Sequence, residues 1–112
     1  MKKILFNFAQ DIINTSTSSS FSKFFYRTRV HVIIVLLISS SKSYTYEKIC
    51  NEIPGAIGSR STIKSVLDDG TKQSFFQKIV NEKDKRNKIY ILNKDIEKNI
   101  KIWVTKMKKI FK

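Results

Sequence analysis

Near the start of the chain, hydrophobic residues recur every three to four positions, with polar residues between them. This pattern predicts an amphipathic helix over residues 1–14. Its hydrophobic positions are Ile4, Leu5, Phe8 and Ile12. A Ser/Thr-rich segment, residues 15–20, separates this helix from a second one that we expect to run from Phe21 to Ile38. Because β-branched residues dominate 32–38, a buried strand stays open as an alternative for that part.

Two shorter helices are predicted on either side of a tight turn. The first begins near Thr45 and ends at Pro54, because proline lacks the amide hydrogen that a helix interior requires. The second covers residues 59–69, and Gly70 is placed to cap its C-terminus. Its predicted buried face consists of Ile63, Val66 and Leu67. The opposite face then presents small hydroxyl side chains and a lysine.

Beyond Gly70 the hydrophobic period changes from that of a helix to that of a strand. Residues 74–80 and 88–92 predict two strands, and the charged segment 81–87 predicts the turn that joins them into a hairpin. A last helix is predicted over residues 94–111. Its hydrophobic positions are spaced alternately by four and three residues, which is typical of a coiled-coil seam. This seam comprises Ile96, Ile100, Trp103, Met107 and Ile110.

The order of these elements predicts a mainly α fold with a small β-hairpin. Two helices joined by a short glycine-containing turn and followed by a hairpin form a winged helix-turn-helix, here with additional N- and C-terminal helices. We expect a single domain over residues 1–112. Its core is predicted at 21–92, flanked by the N-terminal helix 1–14 and by a C-terminal dimerisation helix at 94–111.

The strongly positive net charge indicates what kind of partner the protein binds. The 112 residues include 22 Lys and Arg but 9 Asp and Glu, which gives a formal net charge of +13. The excess is concentrated at residues 71–112, where thirteen basic residues face four acidic ones, whereas residues 44–70 are close to neutral. Such a basic patch favours a polyanionic partner: nucleic acid, an anionic membrane or an acidic protein.

The sequence offers little equipment for catalysis. Cys50 and His31 are the sole cysteine and histidine, too few for a metal cluster, and the three glycines do not form a phosphate-binding loop. We therefore expect no enzyme, no cofactor and no metal. A lone cysteine also forms no internal disulfide, which fits a reducing compartment, so we expect a cytoplasmic protein. Polar residues from Asn7 onward argue against an export signal, and the apolar run 32–38 is too short to cross a membrane.

The predicted helix at 59–69 is the candidate recognition helix, which enters the major groove of DNA in proteins of this architecture. Small side chains allow close approach to base edges, and hydroxyls bond either bases or phosphates. The candidate contacts on this helix are Ser59, Arg60, Ser61, Thr62, Lys64 and Ser65. Candidate phosphate contacts in the hairpin are Lys83, Lys85 and Lys88.

Three motifs resemble the winged helix of the multiple-antibiotic-resistance repressor (MarR) type. They are Ser59-Arg60-Ser61-Thr62-Ile63, Leu67 with Gly70, and Asp84-Lys85-Arg86 followed by Ile89-Tyr90-Ile91-Leu92-Asn93. The resemblance covers about residues 30–95 and implies that Asp84 orients Arg86, which enters the minor groove. The sequence departs from the pattern in a longer stretch between Gly70 and Asp84, and in Asn93, which stands where the family usually has threonine.

The leading hypothesis is therefore a double-stranded DNA-binding transcription regulator. The C-terminal seam and the terminal helices of the resembled family predict a homodimer, and no feature identifies a small-molecule effector. Two alternatives stay open: a winged helix used for protein assembly, and a basic amphipathic protein at a membrane surface. RNA binding is a third, although it usually uses exposed aromatic residues on a sheet, and the adjacent Phe75 and Phe76 cannot both be exposed on one strand face.

Overall fold

The computed structural model of the chain describes residues 1–41, 43–80, 82–83 and 87–112. Six helices and three strands lie within these ranges. In chain order they are α1 (Lys2–Thr15), α2 (Ser20–Phe25), α3 (Arg29–Ser41), β1 (Tyr44–Thr45), α4 (Tyr46–Glu52), α5 (Arg60–Lys72), β2 (Phe76–Val80), β3 (Lys88–Leu92) and α6 (Lys94–Ile110).

The predicted continuous helix from Phe21 to Ile38 is wrong, because the structure divides it into α2 and α3. Ser19 caps α2 by accepting a hydrogen bond from the backbone N–H of Ser22 at 3.1 Å. The hydroxyl of Thr28 accepts one from the backbone N–H of His31 at 3.3 Å, as an N-cap does, and so starts a new helix. The β-branched run 32–38 lies in α3, which excludes the buried strand.

The expected hairpin is present and gains a third strand. The sheet is antiparallel with the order β1-β3-β2, and Tyr44 pairs with Tyr90 while Lys78 pairs with Tyr90 from the other side. A strand of two residues leaves no periodic signal, which is why the sequence does not predict β1. The fold is mainly α with a small sheet: a winged helix-turn-helix with additional helices at both ends.

Aromatic side chains from α2 and the start of β2 fill the centre of the core. Phe24 and Phe25 are fully buried, as is Phe76, and the Phe24 and Phe75 rings lie 4.3 Å apart. Large buried rings contribute more to core stability than any other residue type. Because Phe75 and Phe76 are both buried, neither offers an exposed platform for stacking an RNA base.

Gly70 does not cap α5 as expected. The helix continues to Lys72, and Gly70 lies buried within it. A Cβ at this position would lie 2.4 Å from the ring of Phe76 and 3.0 Å from that of Phe24, so the core rings occupy the space of a side chain. The reversal into β2 occurs instead at Ser74, whose φ of 62° is left-handed.

The α6 seam packs within its own chain, so it no longer supports the predicted dimer, which stays a prediction. Ile100 and Met107 are buried, and Trp103 packs edge-on against Phe25 and donates from its indole nitrogen to the Tyr26 hydroxyl at 2.8 Å. Farther along, Lys106 of α6 pairs with Asp11 of α1 at 2.9 Å. The two terminal helices are therefore partners of each other.

Within the described residues, no helix combines the length and the apolar character that crossing a bilayer requires.

Candidate nucleic-acid interface

Helices α4 and α5 form the helix-turn-helix. Thr45 caps α4, its hydroxyl accepting from the Lys48 backbone N–H at 3.2 Å, and the helix ends two residues before Pro54. The Pro54 carbonyl then accepts hydrogen bonds from the backbone N–H groups of Ile57 and Gly58, which makes the turn tight. At Gly58 a Cβ would lie 3.1 Å from Val30, so the turn is packed closely on α3.

Helix α5 has two sharply different faces. Its buried face consists of Ile63, Val66 and Leu67 together with Gly70, as the spacing predicts. Its solvent face exposes Ser61, Thr62, Lys64, Ser65 and Asp68. A helix that anchors one face in the core and presents small polar side chains on the other can lie in a groove without steric conflict.

Hydroxyl groups organise the start of α5. Ser59 is the N-cap, and its side chain accepts from the Thr62 backbone N–H at 3.2 Å. The same oxygen lies 3.1 Å from the Ser61 hydroxyl and 3.0 Å from that of Thr62. Capping accounts for Ser59, whereas Ser61 keeps a solvent-facing hydroxyl for other partners.

Arg60 is held by two residues of α4. Its guanidinium donates to the Glu47 carboxylate at 2.5 Å and lies 5.3 Å from the centre of the Tyr46 ring. The Tyr46 hydroxyl donates to the backbone carbonyl of Arg60 at 3.3 Å. The hydrogen bond to Glu47 raises the pKa of the Arg60 guanidinium above its usual value, and desolvation raises the pKa of Tyr46. The sequence pattern predicts that Arg60 lies on this helix. It does not predict the contacts of Arg60 with Tyr46 and Glu47, which depend on how α4 packs against α5.

The hairpin adds lysines that face the same side as α5. Lys78, Lys88 and Tyr90 share one face of the β2–β3 ladder, because Lys78 pairs with Tyr90 and Lys88 lies two residues before it. Sequence reasoning included Lys88 and missed Lys78. The strand register would have revealed it, since alternate residues across a ladder lie on one face.

The tip of the hairpin lies largely outside the described residues. Asp84, Lys85 and Arg86 fall there, so their predicted roles stay predictions. Lys83 is described and exposed.

A polar cavity of about 390 Å³ lies beside the second half of α5. Its lining includes Arg27, His31, Ser65, Asp69 and Lys72, and Arg27 pairs with Asp69 at 3.0 Å. His31 is buried, with Nδ1 2.7 Å from the Thr28 hydroxyl. Burial, reinforced by the positive charge of Arg27, lowers the pKa of His31 below its usual value.

Neither a protein-family model nor a curated protein matches this chain. Solved structures do. A crystal structure of NadR in complex with 4-hydroxyphenylacetate superposes with a TM-score of 0.65 and 14% identity, covering 96% of this chain and 72% of that one. A structure of overoxidised AbfR bound to DNA superposes with a TM-score of 0.61 and 14% identity, covering 97% of this chain and 84% of that one.

The chain has the MarR-type winged-helix fold. At 14% identity the likeness concerns the fold alone: by order and placement, α5 is the second helix of the helix-turn-helix and β2–β3 is the wing. What either element binds depends on the side chains of this chain.

Proposed function

We propose that this chain is a sequence-specific double-stranded DNA-binding transcription regulator of the cytoplasm, and that it is not an enzyme. Helix α5 lies in the major groove, and the wing contacts the adjacent minor groove or the backbone. The observation that carries the proposal is the exposed face of α5, which presents Ser61, Lys64 and Ser65 to solvent, with Lys64 lying next to the lysines of the wing. AbfR, which has the same fold, was crystallised with DNA.

The contacts divide into two kinds. Arg60, Ser61 and Ser65 are the candidates for reading base edges, because guanidinium and hydroxyl groups match the hydrogen-bonding pattern of the major groove. The lysines of the wing and Lys64 are candidates for phosphate contacts, which supply affinity without sequence information. We retain Asp84, Lys85 and Arg86 as proposed contacts of the wing tip.

We further propose a homodimer that forms through α1. Leu5, Phe6 and Ile13 are 57%, 62% and 66% exposed, and at 100° per residue they share a face of α1 with Ile12. This face is distinct from the one that meets α6, where Phe8 contacts Phe111 at 5.1 Å between ring centres. A second copy related by a two-fold axis covers such a face in both chains at once.

Selection of bound sequences from a random duplex library tests the proposal. The expected result is enrichment of an inverted repeat whose half-sites are about 10 base pairs apart, because a two-fold dimer presents two recognition helices one turn of DNA apart. Enrichment of a single half-site would support specific binding and contradict the dimer. A selected pool that does not differ from the starting library would contradict sequence-specific binding.

A further inference from the structure

A small cavity lies between the helix-turn-helix and the wing. It has a volume of about 120 Å³ and is lined by Tyr46, Lys64, Lys78, Lys88 and Tyr90. Three of these five side chains are ammonium groups and none is a carboxylate. A cavity of this size admits several water molecules or one tetrahedral oxyanion.

Lys64 and Lys78 differ in whether they form an ion pair within the chain. Lys64 donates to Asp68 at 3.0 Å, an exposed pair one turn along α5, and such pairs exchange readily for another partner. Lys78 forms no ion pair within the part of the chain that the structure describes. Its charge is therefore available to a ligand from outside.

Tyr90 makes the cavity more than a group of surface lysines. The residue is 3% exposed, yet it lines the cavity, and no hydrogen bond to its hydroxyl forms among the described residues. The hydroxyl is accessible through the cavity rather than enclosed, so a ligand there can supply its hydrogen-bond partner. Burial, together with the negative charge of Asp68, raises the pKa of Tyr90, so the hydroxyl keeps its proton and can donate it.

The position of the cavity identifies which anion it meets. In the proposed function α5 occupies a major groove and the wing reaches the adjacent minor groove. One sugar-phosphate strand separates two adjacent grooves, so that strand has to pass between α5 and the wing, where the cavity opens.

We propose that this cavity is a binding site for a single phosphodiester of the DNA backbone, held by the ammonium groups of Lys78, Lys64 and Lys88 and by the hydroxyl of Tyr90. The inference rests on the proposed function and adds to it a discrete site that fixes how far α5 enters the groove. Phosphate contacts of this kind set the register of a protein on the duplex.

A methylphosphonate scan tests the site. Each phosphate of the selected duplex is replaced in turn by an uncharged methylphosphonate, and binding is measured for the wild type, Lys78→Ala and Tyr90→Phe. At one position the wild type should lose about tenfold in affinity, as expected for a charged hydrogen bond. At that position Lys78→Ala and Tyr90→Phe should each lose less affinity than the wild type, because one of the contacts to that phosphate is already absent while the others remain.

Lys98→Ala is the matched control, since it removes the same charge from an exposed position on α6. At that position Lys98→Ala should lose as much affinity on methylphosphonate substitution as the wild type does. If Lys78→Ala and the wild type lose equally at every position, the cavity is not a phosphodiester site, while DNA binding itself stands. If the wild type does not bind the unsubstituted duplex, the proposed function fails and the site with it.

Free phosphate could present the same chemistry, so inorganic phosphate is titrated against the protein without DNA at constant ionic strength. A site shaped by the duplex should show no saturable binding in the millimolar range. Saturable binding that Lys78→Ala abolishes would overturn the assignment to DNA and identify a site for free phosphate.

Discussion

Arg60 illustrates how a single residue depends on a neighbouring helix. Its guanidinium is 58% exposed, yet Glu47 and the ring of Tyr46 fix its direction from α4. A planar donor that is already oriented loses less conformational entropy when it meets a guanine edge. Glu47 therefore has two opposing effects, because its charge repels phosphate while its contact orients Arg60.

Replacing Glu47 separates these two effects. Glu47→Gln should bind scrambled duplex several-fold more tightly, because a negative charge is removed, and should lose about tenfold of its preference for the selected site. Affinities for both duplexes provide the measurement. Glu52→Gln, an exposed change on the same helix, is the control and should keep the preference. An unchanged preference in Glu47→Gln would mean that the pair does not position Arg60.

His31 makes a second prediction at the residue scale, on the pH dependence of stability. Its folded pKa lies below the unfolded value of about 6.5, so the unfolded chain binds more protons. The free energy of unfolding should therefore be highest above pH 6.5 and fall as the pH drops from there toward the folded pKa. Burial is the main cause of the lowered pKa, the positive charge of Arg27 lowers the pKa further, and the smaller opposing effect of Asp69 does not reverse the shift.

Urea unfolding between pH 5 and 7.5 measures this dependence. His31→Gln keeps a polar group near Thr28 but does not titrate, so its stability should be nearly flat across the same interval. A His31→Gln curve parallel to that of the wild type would assign the dependence to other groups.

At the scale of elements, α5 packs closely against strand β2 of the wing at Gly70. Because the Phe76 ring lies where a Cβ would be, Gly70→Ala overpacks the core, which costs about 1–3 kcal/mol. Because the Cβ would overlap the Phe76 ring rather than merely touch it, we expect a cost in the upper part of this range, above the gain of about 1 kcal/mol in helix propensity. We expect a net loss of stability in chemical denaturation. Gly55→Ala, where nothing lies within 4 Å, should be close to neutral; equal effects of the two changes would contradict the packing argument.

Hydrophobic periodicity predicts most elements of this fold and fails where a single local polar contact, or a pairing distant in sequence, sets an element's bounds. The strand at 88–92 and the helix from Lys94 have the predicted bounds or nearly so. The break between α2 and α3 depends on one hydroxyl, that of Thr28, and β1 exists only because Tyr44 pairs with Tyr90. Neither leaves a periodic trace in the sequence.

The candidate site likewise combines residues that the sequence pattern predicts with contacts that only tertiary packing creates. The exposed face of α5 follows from the spacing of its buried residues, so Ser61 and Ser65 could be selected from sequence alone. The partners of Arg60 and the place of Lys78 beside Tyr90 depend on how α4 and the wing pack, which requires the tertiary structure. The seam of α6 shows the same limit, because periodicity identifies a buried face without identifying what covers it.

At the scale of the whole molecule, the exposed apolar face of α1 lies away from the lysines that line the cavity between α5 and the wing. We expect a dimeric mass by light scattering at micromolar concentration, and a monomeric mass for Ile13→Asp, which puts a charge on the α1 face. Ile79→Asp, an exposed change on β2, should stay dimeric. A monomeric wild type would contradict the dimer.

Affinity for duplex DNA as a function of salt tests the central claim most directly. With about 6–10 phosphates neutralised by the dimer, affinity should fall by roughly 10³–10⁵ between 50 and 200 mM salt, because each contact releases condensed counterions. A steep linear decline of log affinity with log salt concentration is the predicted result. No binding to duplex DNA at 50 mM salt by the folded protein would contradict the account.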